Sequence, residues 1–257
     1  MTAHPIGKRI SIVFSLLFCL IVFVSAPVTE AEQGQLVVIA ATNAGKVVPG
    51  SMLQPGDIVN IPAGGWITLI TETGGMIQLG GPYSGPVQRK VVRGPKQDPK
   101  GLTGTLTKIA GLIAGAKTQS TVLGASRQAE ALAAAQPDPW LMAVDSSGER
   151  CVRRQGVQMW RKSGARPAVV SLRSQKAKAA GLKWPAGVQR LQLPPKFIED
   201  GTLIVMKIGQ EPRRINLHVI PQGLDLERPG AVLGWMIDRK CSRQAQVYIR
   251  RLHARAN

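Results

Sequence analysis

The stretch that decides the fold of the first half of the chain is GDIVNIPAGGWITLITETGGMIQLGGPYSGP, from Gly56 to Pro86. Apolar and polar residues alternate along it, which is typical of strands with one buried face. The paired Gly74 and Gly75 suit a tight hairpin turn, and MIQLGG follows as the returning strand. The stretch contains no histidine and no cysteine. We therefore predict a β-scaffold here that carries no chemistry.

The composition points to a basic globular protein. The chain has 257 residues, of which 44% are hydrophobic and 4% aromatic, and its formal net charge is +18. This length is enough for one large domain or two small ones. Few aromatic residues and no helix-turn-helix or zinc-finger motif argue against a nucleic-acid partner. The charge predicts an anionic partner of another kind, or serves only to keep the surface soluble.

The first residues have the pattern of a signal peptide. Lys8 and Arg9 precede an apolar run over residues 10–26, and Thr29 and Ala31 occupy the −3 and −1 places of a small-residue cleavage site. We therefore predict that residues 1–31 are a signal peptide, that the protein is exported, and that its compartment is the periplasm. The alternative is that residues 10–26 stay uncleaved and anchor the chain in the inner membrane.

Two cysteines follow the signal segment, Cys151 and Cys241. In an oxidising compartment they predict one disulfide, closing a loop worth about 4–5 kcal/mol in the chain-entropy model. Two buried free thiols or an intermolecular bond are the alternatives. Their spacing to His218 and His253 does not support a metal site, so we predict none.

The segment GKVVPGSMLQPGDIVNIPAGGWITLITETGGMIQLGGPYSG, Gly45 to Gly85, resembles the FecR-like periplasmic β-domain in its rhythm of turn glycines and its PAG turn. The resemblance implies a small β-domain of an envelope sensor or scaffold, and we predict this domain over residues 32–86. Only nine residues precede the apolar run. The sigma-factor regulation of that family is therefore not carried over.

Residues 87–136 are predicted to be a basic linker with short helices. Its cations are the predicted contacts for an anionic partner. They are Arg89, Lys90, Arg93, Lys96 and Lys100.

Two helices are predicted within this linker. Apolar residues at helical spacing around Leu106 and Ile109 predict a helix that touches a membrane, packs against a neighbouring domain or stays flexible. A second, alanine-rich helix is predicted over residues 126–136.

Residues 137–257 are predicted to form an antiparallel, Ig-like β-sandwich closed by a C-terminal α-helix, so that the whole fold is mainly β. Six or seven strands with turn signals every 8–12 residues carry this prediction. One strand pair is expected around Gly156 and a hairpin in DGTLIVMKIGQEPRRINLHVIP. An apolar stripe that includes Ala245 and Leu252 predicts that the tail helix docks on the core of this module or on a partner.

The sequence offers no recognisable catalytic group. His218 is expected on the sheet surface beside Asn216, and no G-x-S-x-G elbow occurs. We therefore predict no enzyme and no cofactor, but a non-catalytic cell-envelope binding or scaffold protein. Its partner would be an envelope protein, an anionic polymer or a lipid surface. The alternatives are a membrane-anchored FecR-like signalling component, or a hydrolase whose deep pocket joins a carboxylate to His218.

Overall fold

A computed structural model describes residues 34–88, 103–118 and 136–254 of the chain. These residues are mainly β: they form four sheets and three α-helices, and the tail of the chain is helical. The predicted signal peptide, and all but the last residue of the helix predicted over residues 126–136, lie outside the described residues.

The first six strands build a four-stranded sheet and a two-stranded sheet, in the orders β2-β1-β4-β5 and β3-β6. Every pair in these two sheets is antiparallel. The strands are β1 Leu36–Thr42, β2 Met52–Leu53, β3 Ile58–Ile61, β4 Trp66–Thr71, β5 Met76–Gly80 and β6 Tyr83–Pro86.

The predicted hairpin turn at Gly74 and Gly75 is confirmed. Strands β4 and β5 pair with Ile70 opposite Met76, and Gly74 has a φ of 80°, which favours glycine. The Thr71 hydroxyl accepts a hydrogen bond from the Gly75 amide at 3.0 Å and so closes the turn. This hairpin places β5 along one edge of β4, while β1 pairs with the other edge.

Three helices lie against the first sheet: α1 Thr103–Thr118, α2 Pro229–Asp238 and α3 Ser242–Ala254. One buried cluster contains Val37 and Ile70 from the sheet, Leu106 from α1 and Leu233 from α2. Of the alternatives for the helix at Leu106, the structure has the packed one. An apolar cluster thus crosses the predicted boundaries at residues 86 and 137, and the described residues belong to one compact unit.

The docking of the tail differs from the prediction in two ways. The tail forms two helices joined by a turn at Lys240, not one helix, and both contact the first sheet. Ala245 and Leu252 are buried as predicted, but in the cluster shared with Val37 and not in the core of the second module. The cause is that the first sheet leaves one apolar face uncovered by strands, and the helices bury it.

The remaining strands form a five-stranded and a three-stranded sheet, in the orders β11-β10-β13-β14-β8 and β12-β9-β7. They are β7 Met142–Ala143, β8 Gly148–Val152, β9 Gln158–Trp160, β10 Ala168–Arg173, β11 Lys178–Trp184, β12 Arg190–Gln192, β13 Thr202–Ile208 and β14 Glu211–Val219.

The prediction of a purely antiparallel second module is wrong. Strand β8 pairs with β14 in parallel, and β7 pairs with β9 in parallel. Strands β8 and β9, predicted as a pair around Gly156, instead lie in different sheets. The predicted hairpin of β13 and β14 is confirmed, with Ile208 opposite Glu211. The two sheets share one buried cluster, to which β10, β13 and β14 contribute Leu172, Met206 and Leu217.

The second module and the tail are joined at the end strand β8. The sulfur atoms of Cys151 and Cys241 are at disulfide distance, with their Cα atoms 5.9 Å apart. The buried Gln244 of α3 lies beside this pair. Its side chain accepts a hydrogen bond from the Cys151 amide at 2.7 Å and donates to the Cys151 carbonyl at 2.6 Å.

Candidate functional site

The five cations that the sequence predicts as partner contacts lie outside the described residues. They are Arg89, Lys90, Arg93, Lys96 and Lys100. The candidate site among the described residues is a different one: the outer face of the five-stranded sheet, which we call the open face.

The open face arises from strict alternation along three neighbouring strands. In β13, Ile204 and Met206 are buried against the three-stranded sheet, whereas Leu203 and Val205 point the opposite way and are exposed. Strands β10 and β14 alternate in the same sense. Since successive side chains of a strand point to opposite faces, one side of this sheet is core and the other is surface.

Cations lie in a row across the open face. The register sets Lys178 of β11 opposite Arg173 of β10, Arg173 opposite Val205 of β13, and Val205 opposite Arg214 of β14. Neighbouring strands are about 4.8 Å apart, so the two arginines flank Val205 at a separation of about 10 Å. All four side chains are exposed.

Two more lysines extend the positive charge along the strands. Lys207 follows Val205 by two residues on β13, and Lys183 lies opposite the exposed Val169 between β11 and β10. None of these five basic side chains makes an ion pair within the described part of the chain. Their charge is therefore available to a partner.

One end of the open face is acidic and internally paired. Oε2 of Glu149 lies 2.6 Å from Nε2 of His218, and Asn216 donates a hydrogen bond to Oε1 at 3.2 Å. Burial acts to raise the pKa of Glu149, but these hydrogen bonds and the charges of His218 and Lys240 outweigh it, so the pKa lies below its ordinary value. The carboxylate is thus committed to neighbours within the fold.

A buried arginine in the same strand, β8, holds the backbone around this carboxylate. Arg150 is 4% exposed and donates hydrogen bonds to the carbonyl oxygens of Ala143, Ser146 and Glu149. Burial, with a smaller contribution from the nearby Arg243, lowers the pKa of Arg150 to about 10. Arg150 therefore remains charged at neutral pH, and its guanidinium is hydrogen-bonded to backbone oxygens of the protein itself.

The predicted position of His218 on the sheet surface is confirmed, since Leu217 and Val219 point into the core and His218 points away. The hydrolase alternative requires a deep pocket that joins a carboxylate to His218. A cleft of about 380 Å³ lies near Trp140, Arg153 and Arg190, and a smaller one near Lys176 and Lys196. Neither cleft is lined by Glu149 or His218. Nδ1 of His218 is buried and has no hydrogen-bond partner among the described residues.

The cations of the open face were missed by the sequence reasoning. Their signal is present in β13, where Leu203, Val205 and Lys207 form one alternating set and Ile204 and Met206 the other. Both sets begin with apolar residues, so the sequence alone does not say which one faces the core. Only the single lysine distinguishes them.

Comparison with protein-family models, curated proteins and solved structures found no match. The FecR-like resemblance of residues 45–85 therefore stays a prediction. Within the described residues, no helix combines the length and the apolar character needed to cross a bilayer. Residues 34–88, 103–118 and 136–254 also contain no cluster of potential metal ligands.

Proposed function

We propose that this protein is a non-catalytic, exported cell-envelope binding or scaffold protein whose open face recognises an anionic partner. One observation carries the proposal: five exposed basic side chains, which make no ion pair with any described residue, surround aliphatic residues on one face of a sheet. Export and a periplasmic location rest on the signal-peptide pattern of residues 1–31.

The open face is suited to recognition because it is rigid before it binds. Its cations are anchored on paired strands, and the opposite side of the same strands is buried core. A preorganised surface loses little backbone entropy on association. Complementary charge additionally accelerates encounter and selects the partner.

We also propose finer identities for the two halves. The first sheet and its hairpins are compatible with a FecR-like β-domain whose outer layer is a set of helices. The five- and three-stranded sheets are compatible with an Ig-like sandwich in which two strand pairs run parallel. Both identities are supported by the strand patterns and, for the first, by the turn glycines between Gly45 and Gly85.

The proposal is tested by neutralising part of the open face. We expect the triple variant R173Q/K207Q/R214Q to bind anionic probes about 100-fold more weakly, since each cation near a dense anionic surface contributes about 1 kcal/mol. The probes are long-chain polyphosphate in solution and vesicles containing phosphatidylglycerol. Binding is measured at 50 and 300 mM NaCl, because screening at the higher salt should weaken it.

The matched control is K46Q/K162Q/R166Q, which removes the same charge from exposed positions outside the strands of the five-stranded sheet. We expect it to retain most of the affinity. The proposal fails if the purified protein binds neither probe at low salt, or if the control loses as much affinity as the face variant.

A further inference from the structure

We infer that the partner of the open face is an anionic lipid surface, on which the five-stranded sheet lies flat. This inference rests on the proposed function and deepens it. The protein would thereby be a peripheral membrane protein that uses a sheet face as its contact.

The first observation is the apolar centre of the open face. Val169 is 59% exposed, Leu203 45% and Val205 36%, although other apolar residues of the same strands are completely buried. Leu203 and Val205 are neighbours on one side of β13, and Arg173 and Arg214 flank Val205. A headgroup layer offers both phosphate charge and an acyl boundary, and so satisfies cations and aliphatic side chains together. A linear polyanion offers the charge alone.

The second observation is the arrangement of the charges in two dimensions. Lys178, Arg173 and Arg214 lie across the strands, whereas Lys207 and Lys183 extend the positive charge along them. A plane of headgroups can contact all five at once. A single extended polymer chain follows a line and would contact one row or the other.

The third observation concerns the acids that would be repelled by such a surface. Asp200 lies near the same end of the sheet as Glu149, since it accepts a hydrogen bond from the Val219 amide. Its carboxylate is 4.0 Å from Arg239, and Glu149 is held by His218. Glu149 and Asp200 therefore have side-chain partners of their own, whereas the five cations of the open face have no ion-pair partner among the described residues.

The other membrane contact considered from the sequence is α1, and the structure argues against it. Leu106 and Ile109 of its apolar stripe are completely buried against the first sheet and the tail helices. With this stripe buried, the open face is the membrane contact that we propose.

The experiment compares three ligands: vesicles of phosphatidylcholine alone, vesicles with 30% phosphatidylglycerol, and polyphosphate. Co-sedimentation measures the affinity for each kind of vesicle. Fluorescence anisotropy of labelled polyphosphate measures the affinity for polyphosphate. The wild type should bind the anionic vesicles and not the neutral ones. R173Q/R214Q should lower vesicle affinity about 30-fold, at about five-fold per cation.

The decisive variant is L203S/V205S, which removes apolar surface and leaves every charge in place. We expect it to weaken vesicle binding by on the order of ten-fold and to leave polyphosphate binding unchanged. Both side chains are exposed, and unchanged circular dichroism and thermal unfolding establish that the variant is folded.

The outcomes separate the two proposals. Binding to polyphosphate but not to anionic vesicles overturns the lipid surface and leaves the proposed function standing. Binding to neither probe overturns both. The lipid inference is also overturned if L203S/V205S binds anionic vesicles as tightly as the wild type does. It is likewise overturned if the wild type binds neutral and anionic vesicles equally.

Discussion

The first sheet and the five-stranded sheet are built from similar residues but are covered differently. In β1, residues 36–40 are buried without interruption, because Leu36 and Val38 pack in one cluster while Val37 and Ile39 pack in another. In β13 every second residue is exposed. A sheet covered on both sides acts only as scaffold, whereas a sheet covered on one side keeps a face for a partner.

The largest expected effect concerns the connection between the two regions. The Cys151–Cys241 pair ties the end strand of the five-stranded sheet to the helices that cover the first sheet. C151A/C241A should lower the free energy of unfolding by about 4–5 kcal/mol, since the pair closes a loop of 90 residues. Urea denaturation with and without a reductant measures this. The reductant should not affect the variant, and an unchanged midpoint for reduced wild type would contradict the prediction.

The comparison itself is tested by alanine variants at adjacent residues. In β4, L69A and I70A should each lower the free energy of unfolding by about 2–5 kcal/mol, because the two side chains are completely buried on opposite faces of the sheet. In β13, M206A should cost a similar amount, but V205A less than about 0.5 kcal/mol. Denaturant midpoints of the four variants decide this. Equal losses for V205A and M206A would mean that the open face is covered.

A smaller effect is expected where α2 meets the β4–β5 turn. A Cβ atom at Gly230 would lie 2.6 Å from the Gly74 Cα atom and 2.6 Å from Cγ2 of Ile70. G230A should therefore destabilise the protein by about 1–3 kcal/mol. The control is G111A in α1, where a Cβ meets nothing within 4 Å and alanine should stabilise the helix by up to about 1 kcal/mol. Thermal unfolding of both variants checks the opposite signs.

The smallest effect is the pH dependence from Glu149. Because its pKa is lowered in the folded state, the carboxylate stabilises the fold above its ordinary pKa, and this stabilisation is lost as the pH falls through the lower folded-state value. E149Q should be less stable than wild type at pH 7 by under about 1 kcal/mol, and the gap should close below about pH 4. Urea titrations from pH 7 to pH 3 measure the gap. A gap that stays constant with pH would exclude the carboxylate as its source.

Local structure was predictable from the sequence wherever turn residues or a regular spacing of apolar residues indicate it. The hairpins at Gly74 and between β13 and β14 follow from turn residues and alternation, and the stripe through Ala245 and Leu252 correctly predicted a buried helix face. A stripe does not say what covers it, so the docking of the tail on the first sheet was missed. The parallel pairing of β8 with β14 was missed for a related reason. Turn signals predict neighbours along the chain, whereas these strands are far apart in sequence.

The candidate site was the least predictable part. Its cations come from four strands, and only the register of the pairs brings Lys178, Arg173 and Arg214 into one row. The basic segment 89–100 is conspicuous because its cations lie close together in the sequence. Charges that alternate with apolar residues on separate strands become a surface only after folding.

Gln244 has a consequence for self-assembly. Sheets can grow when a strand of another molecule pairs with a free edge. At β8 both backbone groups of Cys151 that an incoming strand would bond are already occupied by the Gln244 side chain. The opposite edge, β11, has Lys178 and Lys183 and an irregular register beside Leu172, features that discourage strand pairing. The Gln244 side chain thus occupies the edge of β8 at which a sixth strand would pair. The number of strands in this sheet is therefore limited by a side chain of the same molecule.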